Sequence, residues 1–200
     1  MPVRREIPEH DGVYFITITC GEWLHLFERA DSYGAVYSWF DHLKRKGHFI
    51  VGYVIMPNHL HALIAFRNTM GESINAIIGA GKRFMAYEIV KALGNNNDAE
   101  TLARLSSKVN VTDRSRGKLH RVFEPSFDWK ECRGNRFIGQ KLDYIHANPC
   151  RGVWTLVDDP CDYVHSSAKY YFTGAQGLYA VTNFMALDDV DLTKRVVDGE

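Results

Sequence analysis

Two hundred residues, 46% hydrophobic and 12% aromatic, suffice for one domain with a sizeable core and exclude a mainly disordered chain. No run reaches the roughly 18 to 20 apolar residues of a membrane helix. The net charge of zero argues against a nucleic-acid partner only until it is divided: residues 1–71 hold 7 basic and 7 acidic side chains, 72–157 hold 14 and 9, and 158–200 hold 3 and 8. A basic middle is masked by an acidic end.

In chain order, "MPVRREIPEHDG" lacks the apolar core of a signal peptide, which points to the cytoplasm. "GVYFITITC", residues 12–20, alternates and is rich in β-branched and aromatic side chains, a strand. Asp31 or Ser32 can cap a helix running to about Lys46, with Val36, Trp39, Phe40 and Leu43 at helical spacing and Gly47 as its stop. "FIVGYVI", the turn "MPNH" and "LHALIAF" read as a hairpin. Ser73 caps a second helix, ending near Gly94, and the polar basic stretch to about Lys118 reads as a mobile loop. "LHRVFEPSF" reads as a further strand. "GNRFIGQKLDYIHAN" is a third helix stopped by Pro149, since the residue before proline disfavours the helical region.

This order predicts an α+β fold, an antiparallel, ferredoxin-like sheet with helices on one face. Residues 1–157 form the domain, and 158–200 an aromatic, then acidic, extension packing on it. Cys20, Cys132, Cys150 and Cys161 are widely spaced with no CxxC pair, so they read as reduced thiols rather than a zinc site or disulfide framework.

Two patterns carry chemistry. His59 and His61 are two apart on a strand and share one face, which suits a metal ion. Tyr144 and Asn148 are four apart and share one face of the third helix near its C-terminal end. A tyrosine can attack phosphorus, but phenols ionise near pH ~10, so the electrophile must be activated. Mg²⁺ or Mn²⁺ on His59 and His61, with Asn148 as a third, oxygen ligand, supplies that activation. His120, His146 and His165 read as structural or surface groups.

"MPNHLHALI" resembles the histidine-hydrophobic-histidine motif of the HUH endonucleases. "QKLDYIHANPCRGVW" and "DYVHSSAKYY" resemble the tyrosine helix and following segment of REP-associated tyrosine transposases, single-tyrosine HUH enzymes of the bacterial insertion-sequence type. The resemblance runs from "YFITITC" to about Tyr171. It implies metal-assisted cleavage and rejoining of single-stranded DNA near hairpins through a 5′-phosphotyrosine, without a nucleotide cofactor. Tyr144 is then the nucleophile, His59 and His61 hold the metal, and Asn148 takes the position of the family's amide ligand. Members are typically basic, so the neutral charge here is a departure, and the acidic end is expected to fold near the DNA groove.

The expected partner is single-stranded DNA with hairpins, gripped by Lys82, Arg83, Arg104, Lys108, Arg114, Arg116, Lys118 and Arg121, with Arg4 and Arg5 on an extended arm. Assembly leans slightly to a homodimer. The rival readings are a domesticated protein that binds hairpins without cleaving them, and a metal phosphoesterase acting on cyclic nucleotides or RNA ends. The second usually needs two His-x-Thr/Ser motifs, and the sequence has a single His-x-His.

Overall fold

The computed structural model describes residues 6–69 and 71–194. Strand β1 (Gly12–Thr19) is followed by the single turn α1 (Leu26–Arg29) and helix α2 (Tyr33–Arg45). Ser32 precedes α2 as expected, although its hydroxyl makes no capping hydrogen bond. Strands β2 (Phe49–Met56) and β3 (His59–Phe66) form the hairpin across Pro57 and Asn58. Helix α3 (Ile74–Asn95) starts at Ser73, whose hydroxyl accepts from the Ala76 amide.

The basic stretch is helical rather than a loop. Helices α4 (Ala99–Ser107) and α5 (Val111–Ser115) occupy it, capped by the Asp98 and Asn110 side chains. "LHRVFEPSF" also departs from expectation: the last strand, β4, is Asp128–Glu131. Within "LHRVFEPSF" only Phe123 bridges to Cys20, and Val122 and Phe123 are buried as core side chains. The apolar content of that run thus records burial rather than sheet pairing. Helix α6 (Asn135–Ala147) tightens into a 3-10 turn, Asn148–Cys150, and Asn148 keeps helical angles (φ −57°, ψ −45°) although it precedes Pro149, so the proline does not push that residue out of the helical region as expected; α7 (Ala168–Thr173) follows.

The sheet order is β2-β3-β1-β4 with every neighbouring pair antiparallel, the ferredoxin-like arrangement. Tyr14, Ile16 and Ile18 of β1 and Leu60, Ala62, Ile64 and Phe66 of β3 face α2 and α3, as expected. Helix α6 lies on the opposite face, which refines the expectation of helices on one side. There it covers Phe15, Val51, Val54, Met56, Leu63 and Ala65 with Ile138, Leu142 and Ile145. The reason lies in the hairpin: β3 is buried on both faces along its length, so a second layer must exclude water from it.

Gly52 marks where that layer comes closest. A Cβ on it would stand 2.4 Å from Leu142 Cδ2, at the point where the β2–β3 register shifts. A glycine allows this close approach of helix and strand.

The chain after α6 returns along the exposed edge of β2. Ile55 N donates to the His165 carbonyl, Ser167 N to Tyr53, and Thr182 N to Ile50. Tyr163 and Tyr171 donate their hydroxyls to the carbonyls of Ile55 and Val51. Edge groups that could pair with another chain are occupied from within. His146 Nε2 meets Ser167 Oγ at 2.8 Å, and His165 stacks on Tyr33 at 3.7 Å, so both are structural here. Among the described residues, no helix is long and apolar enough to cross a membrane. The four cysteines are free thiols, Cys20 and Cys132 buried.

Candidate active site

The alternation of β3 puts His59 and His61 on the α6 face, with ring centroids 4.6 Å apart. Both are buried, at 5% and 6% exposure. Each is oriented through its Nδ1. His59 Nδ1 donates to Asn58 Oδ1 at 2.6 Å, a tautomer that leaves Nε2 as a lone-pair donor. His61 Nδ1 lies 2.8 Å from Thr17 Oγ1, and the register explains this contact, since Thr17 stands directly opposite His61.

Burial pushes the His59 pKa down to about 4 and, with the nearby His59 and Lys141 charges adding to it, that of His61 down to about 3. Both rings are therefore neutral at neutral pH, the form that ligates metal. Two oriented, neutral imidazoles side by side fit a divalent cation. Among the described residues no cluster of three His, Cys, Asp or Glu side chains completes such a site, so a third protein ligand must be of another kind. Asn148, half buried where α6 passes into its 3-10 turn, carries an amide oxygen.

Tyr144 is brought to the same place by α6. Ile138, Leu142 and Ile145 face the sheet, so Tyr144 stands at the margin of the buried stripe, 51% exposed. Its ring lies 5.4 Å from that of His61 and 6.0 Å from Phe15. One turn earlier, Lys141 places its ammonium 4.6 Å from the Phe15 ring centroid and 5.7 Å from that of Tyr144. The sequence reading passed over Lys141. Its spacing of three from Tyr144 is a signal only once the sheet-facing stripe of α6 is known.

A second feature borders His59. Glu22 and Trp23 both adopt the left-handed region, with φ of 55° and 57°, which costs a non-glycine residue about 1 to 2 kcal/mol. Trp23 lies 6.0 Å and Trp154 6.4 Å from the His59 ring, centroid to centroid. Asn58 joins the parts, because its Nδ2 donates to the Trp23 carbonyl while its Oδ1 accepts from His59.

The expected DNA-contacting cations have varied surroundings. Arg104 and Lys108 both hold Glu22, at 2.9 and 2.8 Å, and together they push its carboxyl below the usual range. Lys118 pairs with Asp113, Arg121 with Glu124, and Arg114 donates to the Ser106 carbonyl. Lys82 donates to the carbonyls of Glu124 and Ser126, tying α3 to the segment before β4. Arg83 and Arg116 are exposed. Arg4 and Arg5 lie outside the described residues. The described part of the acidic end, to Lys194, packs on the domain: Asp188 accepts from Asn135 at the start of α6, and the carbonyls of Leu192 and Thr193 accept from Asn68.

The chain has the fold of a REP-associated tyrosine transposase whose structure was solved bound to a REP hairpin. The likeness spans 99% of this chain and 100% of that one, with a TM-score of 0.59 and 16% identity. A candidate transposase from Deinococcus radiodurans is more loosely similar, with a TM-score of 0.41 and 17% identity over 72% of this chain and 95% of that one, and carries no argument. No protein-family model and no curated protein matches the chain. What is shared with the hairpin-bound transposase is therefore the antiparallel α+β fold.

Proposed function

We propose that the protein is a tyrosine transposase that cleaves and rejoins single-stranded DNA beside hairpins. The observation that carries this reading is the convergence of Tyr144, from α6, on the oriented pair His59 and His61, from β3. The shared fold with a hairpin-bound transposase supports DNA hairpins as the substrate.

In this reading the Tyr144 hydroxyl oxygen attacks a backbone phosphorus. The bond from phosphorus to the 3′-oxygen of the preceding nucleotide breaks, and a 5′-phosphate ester of tyrosine forms. Tyr144 is half exposed, so its proton can leave to water, and a proton returns to the departing 3′-oxygen. Lys141 offsets the negative charge that gathers on the phenol oxygen and the phosphate. A later 3′-hydroxyl attacks the phosphotyrosine and reverses the step, which joins strands without a nucleotide cofactor.

Mg²⁺ or Mn²⁺ held by Nε2 of His59 and of His61, with the Asn148 oxygen, would supply Lewis-acid polarisation of a phosphate oxygen. The chain's own share of that work is orientation: Asn58 and Thr17 set the rings, and burial keeps them neutral. Arg83, Arg116 and the cations now paired with Glu22, Asp113 and Glu124 are candidates for phosphate contacts. Exposed ion pairs contribute little stability, so a phosphate can displace a carboxylate from them.

The test is to incubate the protein with labelled single-stranded hairpins taken from the DNA flanking its gene, with Mn²⁺ or Mg²⁺, and look for an SDS-resistant adduct. An adduct that disappears in Tyr144→Phe and with chelator is the expected result. Tight hairpin binding without an adduct would leave a binding protein and remove the enzyme.

A further inference from the structure

Trp23 is 62% exposed, and what sets it apart from the other exposed apolar side chains is its place against the buried His59 ring, 6.0 Å away. It is nonetheless held firmly. The Cys20 and Gly21 amides donate to the carbonyls of Asn58 and Val122, and Glu22 is clamped by Arg104 and Lys108. The left-handed backbone at Glu22 and Trp23 keeps the indole turned outward beside His59. Trp154, half buried, also borders His59, with the exposed His25 ring 5.2 Å from it. Both indoles border His59 while Tyr144 borders His61, and Asn58 bonds to both Trp23 and His59.

We propose that Trp23 and Trp154 form a stacking platform for an unpaired base next to the scissile phosphate. The proposal rests on the single-stranded DNA reading above and adds to it how the flanking nucleotide is held. A base offers a π-face whatever its sequence, and indoles are its best stacking partners on a protein. A duplex keeps its bases stacked on each other, so the platform selects DNA already unpaired beside a hairpin stem. Strain in the loop carrying Trp23 is consistent with a side chain positioned for a ligand, since packing alone would favour turning the indole inward. The continuity of the platform with His59 sets the occupant: a phosphate at the histidines leaves its neighbouring base within reach of the indoles.

The experiment uses the full chain and a labelled oligothymidylate of about twelve nucleotides, compared with the same backbone made abasic, by fluorescence anisotropy. The wild type should prefer the base-bearing strand. Trp23→Ala with Trp154→Ala should weaken that binding about ten- to a hundred-fold and bring it to the abasic level, while abasic binding changes little. Trp23→Phe should restore most of the preference. Trp23→Ala alone, at an exposed position, gives the same reading with less disturbance of the fold and should weaken binding at least about fivefold. Unchanged discrimination between the two strands in these variants would overturn the platform, and the Tyr144-dependent adduct would show whether the transposase reading survives it. A wild type that binds neither strand would likewise overturn the platform, with the transposase reading again decided by the hairpin adduct.

Discussion

On the face covered by α2 and α3, β1 and β3 present Tyr14, Ile16, Ile18, Leu60, Ala62, Ile64 and Phe66, all apolar and all buried. The same two strands present Phe15, Thr17, His59, His61 and Leu63 to α6, where polar groups are interleaved with apolar ones. Both faces exclude water, yet they do so for different ends. The first face is stabilised by apolar area, and polar atoms there are few, chiefly at the margins of aromatic rings such as Tyr14, Trp39 and Tyr53. The second accepts two desolvated imidazoles because Asn58 and Thr17 satisfy one nitrogen of each. A buried polar pair, each ring oriented through one nitrogen, has the chemistry a pair of metal ligands requires, which apolar packing alone does not.

The sharpest way to break this contrast is to damage each face alone. Phe40→Ala, fully buried against the first face, should cost about 3 to 5 kcal/mol in denaturant unfolding, and any protein still folded should retain adduct formation. Gly52→Ala inserts a methyl 2.4 Å from Leu142 Cδ2 on the second face. Its cost should be about 1 to 3 kcal/mol, and if Leu142 displaces α6 as it makes room, the adduct rate should fall further than stability does. Equal losses of rate and stability would mean that the position of α6 does not govern the chemistry.

Lys141 gives a smaller effect confined to the second face. Lys141→Ala should slow adduct formation about ten- to a hundred-fold with little change in melting temperature, and Lys141→Arg should recover part of it. An unchanged rate would reduce Lys141 to a surface side chain resting on Phe15.

A last effect, confined to acid, tests both faces together. Burial lowers the pKa of His48, near the α2–α3 layer, to about 4, and does the same to His59 and His146 on the other side. Between pH about 6.5 and 4 the unfolded chain binds protons that the folded chain refuses. Stability is therefore complete above about 6.5 and falls as the pH drops, by about 1.4 kcal/mol per unit for each such ring. His48→Asn should shallow that slope in urea unfolding without touching the adduct rate at neutral pH. A slope unaltered by this change would assign the acid sensitivity elsewhere.

The local pattern of the chain was legible wherever period and punctuation agreed. Strand β1, the hairpin around Pro57 and Asn58, the Ser73 cap and the start and stop of α6 all follow from neighbours in sequence. The shared face of His59 and His61 follows from alternation alone. Where burial came without pairing, as at Val122 and Phe123, composition pointed to a strand that is not there. The charge of 104–121 was plain, but its ties to Glu22, Asp113 and Glu124 depend on segments far apart in the chain or on turns whose shape is not encoded in charge.

By itself, then, the sequence determined β1, α2, the β2–β3 hairpin, α3 and α6, the histidine pair and the candidate nucleophile, because each depends on spacings of two to four residues. Only the tertiary structure decided that α6 covers the face opposite α2 and α3, and with it that Tyr144 and Lys141 meet His61. It alone also put Trp23 and Trp154 around His59, some 130 residues apart along the chain. Such meetings are selected by how a two-sided apolar sheet is shielded from water, and no local periodicity records which helix will do the shielding.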